Sequence, residues 1–292
     1  MPDFALTNFN ANFNDGLTSF KTDGIFLYLS LPMNTDFYKY QGTGNDFVII
    51  DNRSGKFDKT NVAHIAHLCN RRFGVGADGL ILLEQSNKAD FKMVYFNADG
   101  NQSTMCGNGG RCIVSFANFL GIINNETRFE AIDGMHHAII EGNAIKLKMN
   151  DVEKIESHEH HLFLNTGSPH HVQLEQDLEI LDVKSEGKKI RYGAPYFKEG
   201  SNVNFVKKLS CDTFLVRTYE RGVEDETLSC GTGVTAVALA MDYIGETEKK
   251  LVSLHTLGGQ LQVMFEKNKN TYNNIWLIGP AELVFKGSLW QR

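Results

Sequence analysis

The sequence predicts an α+β protein made of two pseudo-symmetric α/β domains, each a strongly curved sheet wrapped around a central buried helix. Two observations predict it: one cysteine motif opens an apolar helical stretch in each half, and short strand-like runs surround both stretches. The length of 292 residues also exceeds the usual size of a single domain and favours two.

The internal repeat is centred on Cys106 and Cys230. Each cysteine begins a Cys-Gly-x-Gly motif, and a glycine follows fifteen residues after each of them. A Thr-Gly pair precedes the two cysteines by 63 and 64 residues, and turn residues follow both apolar stretches. Matches in register with at most a one-residue slip indicate two copies of one α+β unit. The other matched positions are Gly121 with Gly245, Asp133-Gly134 with Gly258-Gly259, Phe96-Asn97 with Tyr219-Glu220, and Thr43-Gly44 with Thr166-Gly167.

The stretch after each repeated cysteine is predicted to be a buried helix, because its residues are apolar on almost every side. Gly121 and Gly245 are expected at the helix C-termini. An exposed helix is predicted over residues 60–71, with Val62, Ile65 and Leu68 on its apolar face. The segment FYKYQGTGNDFVIID predicts a strand, a glycine turn and a strand. Other strands are predicted at residues 80–83, 91–96, 138–140, 145–149, 214–219, 261–265 and 275–278.

Composition and charge limit the classes of partner. The net charge is −6 with both signs interspersed, which argues against a nucleic-acid surface. No apolar run approaches the roughly 18–20 residues that a membrane span needs, so no membrane partner is expected. The five cysteines are an odd set without a CxxC pair, and no secretory signal is recognisable, which favours a reducing cytoplasm.

The position of the two cysteines predicts acid–base chemistry. A helix start has unpaired backbone N–H groups and partial positive charge, which lowers a thiol pKa from about 8.5 toward neutrality and attracts a carboxylate. Two such starts facing each other across a domain cleft would hold one carboxylate between two thiols. One thiol could then remove a proton from a carbon while the other supplies a proton to the opposite face. The expected activity is cofactor-independent amino-acid racemisation.

Other interpretations of the motifs are weaker. The GTGND segment lacks the full dinucleotide-binding fingerprint, and CGNGGRC is not followed by the lysine of a P-loop. A zinc site is not expected, because His158, His160 and His161 lie in a polar stretch typical of a solvated loop. The remaining cysteines lack the Gly-x-Gly context and are interpreted as core or bystander residues: Cys69, Cys112 and Cys211.

Six segments together resemble the diaminopimelate epimerase family, in order from about Phe37 to the C-terminus. They are FYKYQGTGNDFVIID, RRFGVGADGLILLE, FNADGNQSTMCGNGGRC, SPHHV, SNVNFV and TYERGVEDETLSCGTG. The resemblance implies an isomerase that interconverts LL- and meso-2,6-diaminopimelate in lysine and peptidoglycan-precursor biosynthesis, without pyridoxal phosphate or metal. It also implies a homodimer. The alternatives are a related two-cysteine racemase, such as proline racemase or hydroxyproline epimerase, and a catalytically silent binding protein.

The resemblance also implies roles for individual residues. Cys106 and Cys230 would be the thiolate and thiol, with His170 and Glu220 supporting their protonation states. Backbone amides would hold the α-carboxylate, and other side chains would contact the distal amino-acid end, where an arginine can grip a carboxylate with two hydrogen bonds. The amide positions are Gly107, Asn108, Gly231 and Thr232; the distal contacts are Asn45, Asn97, Asn202 and Arg221, and Glu220 also borders the substrate.

Two positions depart from the family pattern, and the fold of the family suggests domain limits. Gly79 stands where many members carry glutamine, and Ser168 stands where many carry asparagine, which alters the expected distal contacts. The family's last strand returns to the first domain. Residues 34–150 with 280–292 are therefore predicted to form the N-terminal domain and residues 151–279 the C-terminal domain. Residues 1–33 are expected to be a poorly ordered extension or to precede a true start at Met33.

Overall fold

The computed structural model describes residues 13–14, 17–22, 25–30 and 35–290. Its helices are α1 (Val62–Cys69), α2 (Gly107–Phe119), α3 (Val183–Tyr192) and α4 (Gly231–Tyr243). The strands up to the first helix are β1 (Phe13–Asn14), β2 (Leu17–Thr22), β3 (Ile25–Ser30), β4 (Thr35–Gly42) and β5 (Asn45–Asp51). Those from α1 to α3 are β6 (Gly79–Glu84), β7 (Phe91–Asn97), β8 (Gln102–Ser103), β9 (Glu126–Ala131), β10 (Gly134–Glu141), β11 (Ala144–Lys148), β12 (Ile155–Ser157), β13 (Leu162–Asn165) and β14 (Pro169–Leu174). The last are β15 (Asn202–Lys208), β16 (Thr213–Glu220), β17 (Asp225–Thr227), β18 (Leu251–Thr256), β19 (Gly259–Asn268), β20 (Thr271–Pro280) and β21 (Glu282–Leu289).

The three strands before residue 31 form a sheet of their own, in the order β1-β2-β3. The rest of residues 1–33 lies outside the described residues. The expectation of a poorly ordered extension, or of a start at Met33, stays a prediction.

From β4 onwards the strands form one continuous closed sheet that repeats its pairing pattern. Strands β5 and β6 pair in parallel, and so do β14 and β15 at the equivalent place in the second half. The parallel pair β7 and β9 recurs as β16 and β18. The hairpins β9-β10-β11 and β18-β19-β20 follow in the same order. The predicted α+β class with two similar halves is confirmed.

The two halves exchange their last strands. Strand β12 follows β11 of the first half but pairs with β13 of the second, while β21 follows β20 of the second half and pairs with β4 of the first. Strand β20 pairs with β19 on one side and with β11 on the other. The sheet therefore runs without a break from one half to the other, and the domain limits given above stay a prediction.

Helices α2 and α4 lie inside the curved sheets, as predicted. Helix α2 packs against β4, β5, β6, β10, β11, β20 and β21, and α4 packs against β13, β14, β15, β16, β18, β19 and β20. Ten of the thirteen residues of each helix are buried. Gly121 and Gly245 follow the two helices with φ of 69° and 78°, a conformation that glycine adopts at little cost, so the predicted helix ends are confirmed.

The surface helices were predicted with mixed success. Helix α1 lies within the predicted residues 60–71, and Ile65 and Leu68 are buried, but Val62 is 44% exposed and does not belong to the apolar face. Helix α3 was not predicted. Its buried positions are Val183, Gly187 and Arg191, which have the spacing of a helix face, but only one of them is apolar. None of the helices in the described part of the chain is long and apolar enough to cross a membrane.

Leu277 lies where the two halves join. It pairs with Leu147 of β11 and Val263 of β19, and its side chain is fully buried. We expect Leu277→Ala to lower the free energy of unfolding, measured in urea, by about 2–5 kcal/mol. The substitution removes buried methyl groups and leaves a cavity between the two halves. The matched control Leu257→Ala, at a leucine that is 55% exposed, should change that free energy by less than about 0.5 kcal/mol. Equal effects of the two variants would contradict this account of the junction.

Candidate active site

The first residues of the two buried helices touch each other. Cys106 and Cys230 are the N-cap residues of α2 and α4, both with extended backbone. A methyl group on Gly107 would lie 3.6 Å from the Gly231 Cα, and a methyl group on Gly231 would lie 3.4 Å from the Gly107 Cα and 2.9 Å from Leu277 Cδ2. The two helix starts therefore lie within van der Waals reach of each other, and Leu277 packs against both glycines. The repeated cysteines, taken from distant parts of the sequence, come together at one junction.

Hydrogen bonds across the junction hold the helix starts in place. Asn108 Nδ2 donates to the carbonyl and hydroxyl oxygens of Ser229, at 3.2 and 3.1 Å, and the Ser229 hydroxyl donates to the Thr43 carbonyl at 2.8 Å. The Thr166 hydroxyl donates to the Thr232 carbonyl at 2.9 Å. Asn108 Oδ1 is buried and has no hydrogen-bond partner within residues 35–290. A buried unpaired acceptor at this place indicates a site for a polar ligand.

A buried arginine joins α2 to the turn after β4 and to the end of β20. Arg111 donates to the Thr43 hydroxyl at 2.7 Å and to the carbonyls of Gly107 and Pro280 at 3.3 Å each. Its burial lowers its pKa. Because Pro280 ends β20, this side chain ties the start of α2 to the strand that the two halves share.

The thiol of Cys106 lies beside an amide. The Asn45 Oδ1 atom is 3.6 Å from Cys106 Sγ, and Asn45 Nδ2 donates to the Asp78 carboxylate at 2.6 Å. Burial raises the pKa of the Cys106 thiol, while the backbone N–H groups of Asn108 and Gly109 and the charge of Arg111 act in the opposite direction. The helix start thus favours the thiolate, as expected from the sequence, but burial outweighs it.

Cys230 has a different polar neighbour. Its Sγ lies 3.5 Å from the Thr232 hydroxyl oxygen. Burial raises the pKa of the Cys230 thiol above its ordinary value, and the nearby Glu220 raises it further. The expectation that the helix start lowers each thiol pKa toward neutrality is therefore wrong for this structure, because the desolvation of a buried thiolate exceeds the favourable effect of the helix N-terminus.

Glu220 lies within electrostatic range of both thiols. Its burial raises its own pKa, the Thr227 hydroxyl donates to it at 3.0 Å, and its negative charge raises the pKa values of Cys106 and Cys230. A raised pKa makes the Glu220 carboxylate easier to protonate. The structure therefore places one titratable group where its charge acts on both cysteines.

His170 is fully buried in the Cys230 half. Its Nδ1 accepts from Asn204 Nδ2 at 3.2 Å, and the Asn204 amide is oriented by the Thr218 hydroxyl, which donates to Asn204 Oδ1, and by the His171 carbonyl. Burial lowers the pKa of His170 to about 3, so the ring is neutral. With Nδ1 accepting, the proton belongs on Nε2, which is buried and has no partner in the described chain. A neutral N–H donor is available there for a ligand or a thiolate.

The residues expected at the distal end come together in part. Asn202 Nδ2 donates to the Ser168 hydroxyl at 2.9 Å, and its Oδ1 accepts from the backbone N–H of Arg221 at 2.9 Å. The Arg221 guanidinium donates to the Glu199 carbonyl at 3.0 Å. Asn97 is exposed at the end of β7, in the other half. Ser168 therefore takes a defined place beside Asn202 despite its departure from the family pattern.

The space beside Gly79 is filled by another strand. A methyl group on Gly79 would lie 2.5 Å from the Phe96 carbonyl oxygen and 2.6 Å from Tyr95 Cε2. Burial raises the pKa of the Tyr95 hydroxyl, and the charges of Cys106 and Glu220 raise it further, so this side chain is near Cys106 and Glu220. Tyr95 thus occupies the region that a longer side chain at position 79 would enter.

The histidines outside the site pack on one another. His171 alternates with His170 along β14 and faces away from it, with Nδ1 2.9 Å from the Tyr196 hydroxyl. His161 stacks between His158 and His171 with ring centroids 4.5 and 4.2 Å apart, so the prediction of a solvated loop is wrong for His161. Within the described ranges, no group of three or more His, Cys, Asp or Glu side chains is arranged to hold a metal ion.

Four site residues escaped the sequence reasoning: Asp78, Tyr95, Asn204 and Ser229. Asn204 carried a usable signal, because it is two residues after Asn202 in a strand and therefore lies on the same face. Ser229 directly precedes a repeated cysteine. Tyr95 and Asp78 gave no signal, since their neighbours at the site belong to other strands.

The chain matches the diaminopimelate epimerase family over residues 37–155 and 162–284. A diaminopimelate epimerase from Flavobacterium psychrophilum is 58% identical over 253 residues, which cover 86% of this chain and 99% of that protein. A diaminopimelate epimerase from Chlorobaculum tepidum is 43% identical over 258 residues, with 85% and 98% of the two chains covered.

Solved structures with low sequence identity share the fold. A phenazine biosynthesis protein from Bacillus anthracis superposes with a TM-score of 0.71 at 13% identity, over 89% of this chain and all of that one. A hydroxyproline epimerase from Agrobacterium vitis superposes with a TM-score of 0.62 at 12% identity, over 88% and 92% of the two chains.

The equivalent glycines Gly109 and Gly233 provide a matched test of the site geometry. A methyl group on Gly233 would lie 2.5 Å from Asn204 Oδ1, whereas one on Gly109 would meet the flexible ends of Ile81 and Met93 at 3.1 and 3.4 Å. We expect Gly233→Ala to lower the free energy of unfolding by about 1–3 kcal/mol, because it displaces a buried hydrogen-bonded amide. Gly109→Ala should change it by less than about 1 kcal/mol. Urea denaturation measures both values, and a larger loss in Gly109→Ala would refute this account.

Proposed function

The chain belongs to the diaminopimelate epimerase family, and from that membership we propose that it interconverts LL- and meso-2,6-diaminopimelate by proton transfer between Cys106 and Cys230. The observation that carries the proposal is the contact between two helix starts, each headed by a repeated cysteine. The 58% and 43% identical relatives are both named as diaminopimelate epimerases. The reaction makes the protein an isomerase of lysine and peptidoglycan-precursor biosynthesis.

The α-carboxylate of the substrate is proposed to bind between the helix starts. Backbone N–H groups of the first turns of α2 and α4, at Gly107, Asn108, Gly231 and Thr232, have no intrahelical partners. The positive ends of two helix dipoles favour an anion there. Spreading the negative charge of the deprotonated α-carbon onto this carboxylate lowers the barrier to proton removal.

The proton transfer uses one thiol on each face of the α-carbon. The thiolate removes the α-proton, so a C–H bond breaks and an S–H bond forms. The second thiol then donates its proton to the opposite face, which forms the new C–H bond and leaves a thiolate. The protein ends the turnover with the two protonation states exchanged, and the reverse reaction restores them. Because the thiols supply both base and acid, the proposal assigns no cofactor and no metal.

Glu220 and His170 are proposed to support the thiols. Glu220 raises the pKa values of both cysteines while it is charged, so its protonation makes a thiolate easier to form. The neutral His170 ring offers an unpaired Nε2–H donor, and its Nδ1 is held by Asn204. These two groups act on the charge of the thiols and leave the transferred proton to the cysteines.

The distal amino-acid end is proposed to lie among side chains of both halves. Asn45 and Asn97 belong to the first half, and Asn202, Glu220 and Arg221 belong to the second. Arg221 can exchange its contact with the Glu199 carbonyl for two parallel hydrogen bonds to a substrate carboxylate. A substrate with a second carboxylate fits this grip better than proline or hydroxyproline, which have none.

The setting of the enzyme is also proposed. All five cysteines are free, which supports a reducing cytoplasm. The family resemblance implies a homodimer, and the exposed apolar side chains of Leu283, Val284 and Phe285 on β21 give it a surface on which to form. Light scattering coupled to size-exclusion chromatography measures the molar mass in solution, which should be twice that of one chain.

Proton exchange tests the proposed reaction. Incubation of LL-diaminopimelate with the reduced protein in deuterium oxide should place deuterium at the α-carbon, as detected by mass spectrometry. Cys106→Ser and Cys230→Ser should each lower the rate at least about 100-fold, because serine is a far weaker acid than cysteine. Cys211→Ser, at an exposed cysteine, should leave it unchanged. Exchange into proline but not into diaminopimelate would favour the proline-racemase alternative, and no exchange into either would refute the proposal.

Oxidation tests whether the two thiols face one site. Mild oxidation should abolish activity, and a thiol reductant should restore it, because thiols that share one carbon atom are close enough to form a disulfide. Peptide mapping should show Cys106 joined to Cys230, while Cys211 stays unlinked. Full activity after oxidation would contradict the facing arrangement.

A further inference from the structure

The Asn45 amide is held in one of its two orientations. Its Nδ2 donates to Asp78 Oδ2 at 2.6 Å, while its Oδ1 lies 3.3 Å from Asn108 Nδ2 and 3.6 Å from Cys106 Sγ. A carboxylate can only accept hydrogen bonds, and the Asn108 amide nitrogen can only donate. Both partners therefore require the same orientation of Asn45, with its carbonyl oxygen toward the sulfur.

Asp78 is itself fixed by charged neighbours. Arg71 Nη2 donates to Asp78 Oδ1 at 2.7 Å, which leaves Oδ2 for the Asn45 amide. The same guanidinium forms two hydrogen bonds to Asp46, at 2.7 and 2.9 Å, and Asp46 pairs with Lys39 at 2.7 Å. The Asp78 side chain is 43% exposed, so it lies at the edge of the site, and its ordered contacts act through Asn45.

The orientation of this amide decides which form of the thiol it stabilises. A carbonyl oxygen accepts from the S–H group of a neutral thiol and repels a thiolate. The flipped amide would present N–H to the sulfur and would stabilise the thiolate. At Cys230 the neighbour is the Thr232 hydroxyl, which can donate or accept. The neighbour of Cys106 therefore stabilises only the neutral thiol, whereas the neighbour of Cys230 can stabilise either the thiol or the thiolate.

We propose that Asp78 is a positioning residue: by fixing the Asn45 amide it directs a carbonyl oxygen at Cys106 and favours the protonated thiol at that cysteine. The assignment deepens the proposed function, on which its importance rests. Nothing in the sequence motifs assigns this role to Asp78. It directly precedes β6, and its carboxylate forms no hydrogen bond with a thiol.

Other charged and titratable groups also face Cys106 and must be separated from the effect of Asp78. Arg111 on α2 favours the thiolate, whereas the others favour the thiol when they are charged. They are Glu220 on β16, Tyr95 on β7, Cys112 on α2 and Cys230 at the start of α4. Asp78→Asn removes a negative charge as well as an acceptor, so its effect needs a second variant for interpretation.

The test measures Cys106 directly. In a Cys230→Ser background, the rate of alkylation of Cys106 by iodoacetamide is followed against pH by peptide mass spectrometry, without substrate. Asp78→Asn should move the midpoint about one pH unit lower, the size that one hydrogen bond to a charged group can give, because an amide at position 78 can donate or accept and so permits either orientation of Asn45. Asp51→Asn is the matched control, since it removes a carboxylate paired with an arginine at the other end of β5, and the midpoint should not move.

A double-variant cycle separates positioning from charge. In an Asn45→Ala background, Asp78→Asn should cause no further shift of the midpoint if Asp78 acts through the amide. A shift of the same size in that background, or no shift in the single variant, overturns the proposal. Asp78→Ser serves the same purpose if Asp78→Asn does not fold. Because alkylation needs no substrate, failure here is distinguishable from failure of the proposed function, which deuterium exchange by the unmodified protein tests.

Discussion

The structure depends on the contact between the N-termini of two buried helices. Each helix end carries a partial positive charge, so placing two of them together is unfavourable unless an anion or a strong framework offsets the repulsion. The framework is the continuous sheet, in which β11 and β20 pair across the junction and each half receives its last strand from the other. Gly107 and Gly231 allow the contact, and Leu277 fills the space beside them. The same repulsion favours an anion at the junction, where the substrate carboxylate is proposed to bind.

Burial and the helix ends act in opposite directions on the thiols. An isolated helix start would favour thiolates, but here desolvation dominates and both cysteines have raised pKa values. A raised pKa favours the neutral form of each thiol. In the mechanism proposed above, a protonated Glu220 and the unpaired Nε2–H donor of His170 make a thiolate easier to form. The protonation states of the two cysteines therefore depend on neighbouring side chains as well as on their place at the helix starts.

The sequence predicted the parts of the fold that repeat and the parts that are apolar. The Cys-Gly-x-Gly repeat located both central helices and the glycines that end them, because these signals are local. Helix α3 escaped, since its buried face contains Gly187 and Arg191, and Arg191 packs its charged end against Glu224. The contacts of Asp78, Tyr95 and Ser229 escaped for a different reason. Each depends on the pairing of distant strands, which no local pattern of residues specifies.

A symmetric scaffold carries out a reaction that is symmetric only at one carbon. The two helix starts can treat the two faces of the α-carbon alike, because both offer a cysteine and a turn of unpaired backbone N–H groups. The remainder of the substrate is not symmetric, and neither are the neighbours of the thiols: an amide fixed by Asp78 beside Cys106, and a rotatable hydroxyl beside Cys230. In the mechanism proposed above, the repeat supplies the geometry of inversion, and the differing neighbours favour different protonation states of the two thiols. The glycines that bring the helices together are the same in both copies, whereas the polar groups beside the two thiols differ.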